Sequence, residues 1–201
     1  MIQILKKNIK IKKKIFFKSL LININFFFID RIFIFPENIK VFNKDKIIFF
    51  ETSLGLLSLP LTYNIFFFIK KNKLLINYTK IKNKKNILNL YDKLIKIKIK
   101  GVLQGFKISL ILQGIGFKAF IKNNKLILKL GFSHNIIISI PVTIKISIQL
   151  NILIFSSIDY IFLNQFIYYI KNLKKPEPYK GKGILLKNEK ILRKEGKRGK
   201  K

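Results

Sequence analysis

The chain has 201 residues, 41 Lys and Arg against 9 Asp and Glu, and a formal net charge of +32. Such an excess repels itself unless an anionic partner neutralises it, so nucleic acid or an anionic membrane surface is implied. With no cysteine and one histidine, His134, disulfide scaffolds, cysteine-ligated metal sites and multi-histidine metal sites are excluded.

Residues 1 to 18 carry seven lysines and no acid, which suits a basic arm lying on RNA; transit peptides are typically rich in Arg and Ser, and this stretch is not. From Phe26 to Asn77 short apolar runs alternate with turn residues, and Asn43 to Lys46 and Lys70 to Lys73 read as hairpin turns. That pattern predicts an antiparallel meander. The positive mean hydropathy makes a membrane reading serious, and the uncharged run from Thr52 to Ile69 reaches the lower limit of about 18 residues for a spanning helix. Gly55, Pro60 and Asn64 interrupt it, so turn chemistry between two strands explains it better and no stable membrane insertion is expected.

Asn86 to Lys98 places Ile87, Leu90, Tyr91, Leu94 and Ile95 at amphipathic helical spacing, while the alternation IKIKIK from Ile95 to Lys100 competes as a strand. Gly101 then opens a second unit in which the order of the first recurs, strands and then one helix. Lys107 to Leu112, Lys118 to Ile121, Leu126 to Leu130, Ile136 to Ile140 and Ile144 to Ile148 are strand-like, with a hairpin turn at Lys122 to Lys125. Ser156 to Asp159 has the form of a capping box ahead of Phe162, Leu163, Phe166, Ile167, Ile170 and Leu173, which predicts a helix buried on one face.

Gly114, Ile115 and Gly116 lack the third glycine and following helix of a dinucleotide loop, so a tight bend in a sheet is expected. Asp92 and Asp159 stand alone as caps or surface residues, and Glu177, Glu189 and Glu195 sit among lysines that would pair with them. No catalytic set emerges, and an enzyme is not expected. The stretch Lys174 to Gly183, KKPEPYKGKG, leaves the helical pattern as a stiff, exposed strap set by Pro176 and Pro178. Lys174, Lys175, Lys180 and Lys182 supply charge, Tyr179 a ring that can stack, and Gly181 and Gly183 close backbone approach, a combination that suits an RNA backbone. The same composition also suits a solvated linker before a basic tail. From Lys171 to Lys201 there are 13 basic and 3 acidic residues.

PEPYKGKG, the closing run RKEGKRGKK from Arg193 to Lys201, and the blocks GVLQGF (Gly101 to Phe106), GIGFKA (Gly114 to Ala119) and LILKLGFSH (Leu126 to His134) together resemble the large-subunit ribosomal protein six family of bacterial and organellar type. Where that family usually has a Gly-Pro-x-Gly turn, this chain has Thr52, Ser53, Leu54 and Gly55. The resemblance implies an α+β fold of two similar units, each an antiparallel sheet packed with one helix. Residues 1–30 would be a basic extension, 31–100 the first unit, 101–175 the rRNA-binding second unit and 176–201 a basic tail. It implies a structural role in the large ribosomal subunit, with large-subunit rRNA and neighbouring ribosomal proteins as partners, near the sarcin-ricin loop and the translation-factor site. No cofactor, metal or small-molecule substrate is implied. Lys118, Ser133 and His134 become candidate rRNA contacts, with Lys174, Lys175, Tyr179, Lys180, Gly181, Lys182, Gly183, Arg193, Lys194, Lys197, Arg198, Lys200 and Lys201. A basic membrane-associated organellar protein and a free nucleic-acid chaperone are the rival classes.

Residues read from A- and T-rich codons dominate, Ala119 is the sole alanine, and Arg31, Arg193 and Arg198 are the only arginines. An organelle-encoded gene is the preferred source, which places the protein in the mitochondrial matrix, with a plastid or the cytoplasm of an A/T-rich organism as alternatives.

Overall fold

A computed structural model describes residues 31–61, 65–70, 73–78 and 84–196. The basic stretch of residues 1–30 lies outside them. Among the described residues the first half holds six strands and a helix: β1 (Arg31–Ile34), β2 (Lys40–Lys44), β3 (Ile47–Thr52), β4 (Gly55–Pro60), β5 (Ile65–Lys70), β6 (Lys73–Tyr78) and α1 (Lys84–Gln104). The second half adds β7 (Phe106–Gln113), β8 (Lys118–Lys122), β9 (Lys125–Lys129), β10 (Ile136–Ser139), β11 (Lys145–Gln149), β12 (Ile152–Ser157), α2 (Tyr160–Leu173) and β13 (Gly183–Leu186). Every strand pair is antiparallel. The fold is the expected α+β arrangement of two similar units, and the antiparallel strands of each unit fall into two sheets around its core.

In the first unit β2-β3-β4 form a meander, but β1 pairs with β6 in a second sheet, β1-β6-β5. A single meander fails because the connection after β1 is itself core. Phe35 and Ile39 are buried, Phe35 standing edge-on to Phe50 at 6.4 Å, and these two side chains draw the chain across from one sheet to the other. The β2–β3 turn has positive φ at Asp45 and Lys46, the two-residue geometry whose twist matches the strands. At the β3–β4 turn the Leu54 amide donates to Thr52 Oγ1 at 3.3 Å, so a side chain closes the hairpin where the family usually uses glycine and proline.

The IKIKIK segment is helix. Burial alternating every second residue would put Ile95, Ile97 and Ile99 on one face, whereas Leu88, Tyr91, Ile95, Lys98 and Val102 are the buried positions, at helical spacing, with Leu90 turned outward. Helix α1 therefore runs on to Gln104. Gly101 does not open the second unit but lies in the last turn of α1, where a Cβ would sit 2.3 Å from the Ile158 carbonyl oxygen. Only glycine admits that approach.

In the second unit β10-β9-β8 is one sheet and β11-β12-β7-β13 the other. Their inward residues share one core with Leu163, Ile167 and Ile170 of α2. Phe155 is fully buried there, and burying one such ring contributes on the order of 2 kcal/mol. The β8–β9 hairpin turns at Asn123 and Asn124, both at positive φ. Ser156 and Ser157 finish β12 instead of capping a helix, and Asp159 is the N-cap, accepting from the Ile161 amide at 3.0 Å. The basic stretch 176–201 also contributes to the sheet. Residues 183–186 are the strand β13, with Ile184 and Leu185 buried, because alternation of Gly and Lys conceals an apolar run that completes the sheet beside β7.

The units meet at Ile158, which packs into the first core. There buried Lys98 of α1 reaches Asp159 at 2.8 Å, while within the first unit Thr52 Oγ1 donates to the Val102 carbonyl at 2.7 Å and ties β3 to the end of α1. Among the described residues no helix is long and apolar enough to cross a membrane.

Candidate nucleic-acid interface

Strand β7 leaves the junction between the units at Phe106 and ends at Gln113, so whatever gathers about Gln113 lies at the end of the second unit away from the first. Gly183 pairs with Gln113 and brings the strap there. Helix α2 starts at Asp159, beside Lys98, and its 14 residues carry the chain about 20 Å along its axis to Lys174. The β11–β12 turn arrives at the same end, since Ile152 pairs with Ile111 and the Asn151 carbonyl accepts from the Leu112 amide at 2.8 Å.

The strap is a closed loop. Glu177 N donates to Lys182 O at 2.9 Å, Gly181 N to Glu177 O at 2.9 Å, and Ile184 N to Lys174 O at 3.0 Å. The tail then returns, and Lys194 N donates to Pro178 O at 3.0 Å. Gly183, at φ +153°, lies flat against the strap, where a Cβ would be 2.5 Å from Pro176 Cα. The close approaches expected of Gly181 and Gly183 are thus made within the protein. Both residues are buried, and a Cβ on Gly181 would sit 3.4 Å from the Arg193 guanidinium.

This stapling leaves Lys175, Tyr179, Lys180, Arg193 and Lys194 exposed and Lys174 and Lys182 half-buried on one rim. The loop carrying Ser133 and His134, both exposed, joins it through Phe132, a residue that sequence reasoning missed. Phe132 stacks on His134 with ring centroids 6.3 Å apart, and Lys174 Nζ lies 4.4 Å over the Phe132 ring. An aromatic between glycine and two polar residues in a predicted loop was the available signal. The expected bend at Gly114 closes with Phe117 N donating to Gly114 O at 3.3 Å and holds Ile115 in solvent at 91% exposure. Lys118 opens β8 beside Phe117, whose ring lies where a Cβ on Gly114 would come within 2.9 Å of it and one on Gly131 within 3.3 Å. Lys197, Arg198, Lys200 and Lys201 lie outside the described residues.

Acids are few on this face and one is used internally. Glu189 takes Lys171 at 2.7 Å and the Leu186 amide at 3.1 Å. The Lys171 hydrogen bond holds its carboxyl below the ordinary value, with the Leu186 amide and the Lys171 charge helping and partial burial opposing. The arrangement offers ammonium groups and a guanidinium for phosphates, together with three rings, Tyr179, Phe132 and His134, for stacking or shape contact. Among the described residues no group of three or more acidic or histidine side chains gathers as a metal site.

Residues 113–186, which contain most of this face, match the profile of the family described as ribosomal protein L6. The chain is 39% identical to the large ribosomal subunit protein uL6 of Karelsulcia muelleri, over 82% of this chain and 94% of that protein. It is 37% identical to that of Mycoplasmoides gallisepticum over 84% of this chain and 94% of the relative. Large ribosomal subunit protein uL6c of Phaeodactylum tricornutum is 36% identical over 82% and 94% respectively.

Proposed function

The chain belongs to the ribosomal protein L6 family, as a structural, non-enzymatic constituent of the large ribosomal subunit, and on that premise we propose that its second unit and tail hold it on large-subunit rRNA. The observation that carries this reading is the stapled strap, which fixes Lys174, Lys175, Tyr179, Lys180 and Lys182 beside Arg193 and Lys194 and next to the Phe132–His134 loop. A rigid basic rim of that kind fits the shape of a folded RNA, because A-form major grooves hide their bases from side chains. Gly181 and Gly183 serve by letting the loop close, while Ser133, His134 and Lys118 extend the contact and Lys197, Arg198, Lys200 and Lys201 prolong it along the phosphates.

The site on the subunit that suits the family resemblance is the neighbourhood of the sarcin-ricin loop and the translation-factor landing site. The first unit, residues 31 to the end of α1, then reaches outward towards neighbouring ribosomal proteins. The A/T-biased composition favours an organellar ribosome, and a mitochondrial one as the first to examine.

The test is a density gradient of magnesium-depleted ribosomes with and without RNase, run with the parent chain and with Lys180, Lys182, Arg193 and Lys194 replaced together by Ala. Comigration of the parent with the large subunit, lost on RNase treatment and weakened in the variant, is the expected result. Normal incorporation of the variant would remove the strap and tail from the rRNA-binding assignment.

A further inference from the structure

The outer face of β8–β10 is unlike the solvated face of an ordinary sheet. Phe120 pairs across the strands with Ile127, and Ile127 with Ile137, so an apolar stripe crosses all three strands. Phe120 is 47% and Ile137 61% exposed. On one side of the stripe Lys118 stands directly opposite Lys129, and on the other Lys122 stands opposite Lys125. All four lysines are exposed, and Lys129 Nζ lies 6.0 Å from the Phe120 ring.

Like charges directly opposite on a sheet destabilise it, and no acidic residue between Lys93 and Ile158 stands along these strands to pair with them. Two such pairs bracketing an exposed ring suit a polyanion that also presents flat apolar surface. A nucleic acid strand with unstacked bases has both, since every base has a π-face and every linkage a phosphate. The face is also continuous with the proposed interface, because Lys118 adjoins the Gly114–Phe117 bend and Lys129 adjoins the loop that carries Phe132.

We propose that the outer face of β8–β10 is a second RNA-binding surface, adjoining the strap interface at Lys118, which stacks an unpaired base on Phe120 while Lys118, Lys122, Lys125 and Lys129 take the phosphates on either side. It rests on the rRNA-binding reading and deepens it, assigning single-stranded or looped RNA to the sheet and folded RNA to the strap rim.

The experiment uses the full chain with two probes, a labelled single-stranded oligouridylate and an RNA duplex of equal length. Phe120→Leu keeps the apolar volume and removes the ring. It should weaken oligouridylate binding by about tenfold, as loss of one stacked base does, and leave duplex binding within about twofold of the parent; Phe120→Tyr should restore it. Lys122→Gln with Lys125→Gln should flatten the salt dependence of oligouridylate binding by about 0.7 in slope for each phosphate no longer neutralised. The triple variant of Lys174, Lys180 and Lys182 to Ala should do the reverse of Phe120→Leu, losing the duplex and keeping the oligouridylate. If Phe120→Leu binds the single strand as tightly as the parent, at an unchanged unfolding midpoint, the platform is refuted. If only the strap triple variant is without effect, the strap reading fails and the sheet assignment stands. A crosslink from position 137 in intact subunits to protein alone would likewise overturn the proposal.

Discussion

Replacing Gly183 with Ala adds one methyl group at the place where the strap is docked. The new Cβ would meet Pro176 Cα at 2.5 Å, Pro176 N at 2.7 Å and Lys175 O at 2.8 Å. These are backbone atoms held by the rigid proline ring and by the Ile184 N to Lys174 O bond, so no flexible side chain can swing aside. Overpacking of this kind costs about 1–3 kcal/mol, and holding a residue with a side chain at φ +153° adds about 1–3 kcal/mol. The chain can escape part of that sum by lifting the strap and the first residue of β13 away from Gln113, so the net loss should be about 2–4 kcal/mol out of a total stability of about 5–15 kcal/mol. The variant should stay folded, with its urea midpoint lowered. The Ile184 amide reports the site directly, and native-state hydrogen exchange there should accelerate by at least about 30-fold, the factor that corresponds to 2 kcal/mol. Binding to large-subunit rRNA should weaken in parallel, because the lysines lose their fixed rim. An Ala variant within about 0.5 kcal/mol of the parent, with the Ile184 amide equally protected, would refute the argument that the docked strap depends on this glycine.

Asp159→Ala removes the α2 N-cap and leaves buried Lys98 without its carboxylate, so it should destabilise by about 3 kcal/mol or more. Lys98→Met, which takes the charge away instead, should cost clearly less in the same denaturation assay. Glu189 has a folded pKa below its unfolded value, so its contribution to stability is full above the unfolded pKa and is lost as pH falls through the folded one. Acid titration followed by exchange at the Leu186 amide should show that loss, and Glu189→Gln should abolish the pH-dependent part. Ile115→Ser and Leu150→Ser, at positions 91% and 95% exposed, should each leave stability within about 0.5 kcal/mol, so that any change in subunit incorporation reads as an interface effect.

Much of the fold was legible along the chain because local chemistry suffices for it. The two-residue turns at Asp45–Lys46 and Asn123–Asn124 announce themselves by residue type, and the buried stripe of α2 by its spacing. The misreadings fall where a local pattern admits two answers. IKIKIK satisfies both periods, and it became helix because Ile95 and Val102 had a core to enter on the helical face and Lys98 had Asp159 to meet. Ser156 to Asp159 looks like a cap with its start three residues early, since strand β12 needed Phe155 and Ser157 on its inner side before the chain could turn.

The candidate interface divides in the same way. Charge, the proline pair and the lone histidine loop were visible in the sequence, and with them the class of partner, because net charge and residue type do not depend on folding. That Gly183 is pressed on Pro176, that Lys174 covers Phe132, and that Lys118 faces Lys129 across a sheet were decided by tertiary structure. These contacts join residues far apart in the chain, and their geometry follows from which strands pair and which side chains the cores bury, a choice made by the packing of the whole unit rather than by any one stretch of it.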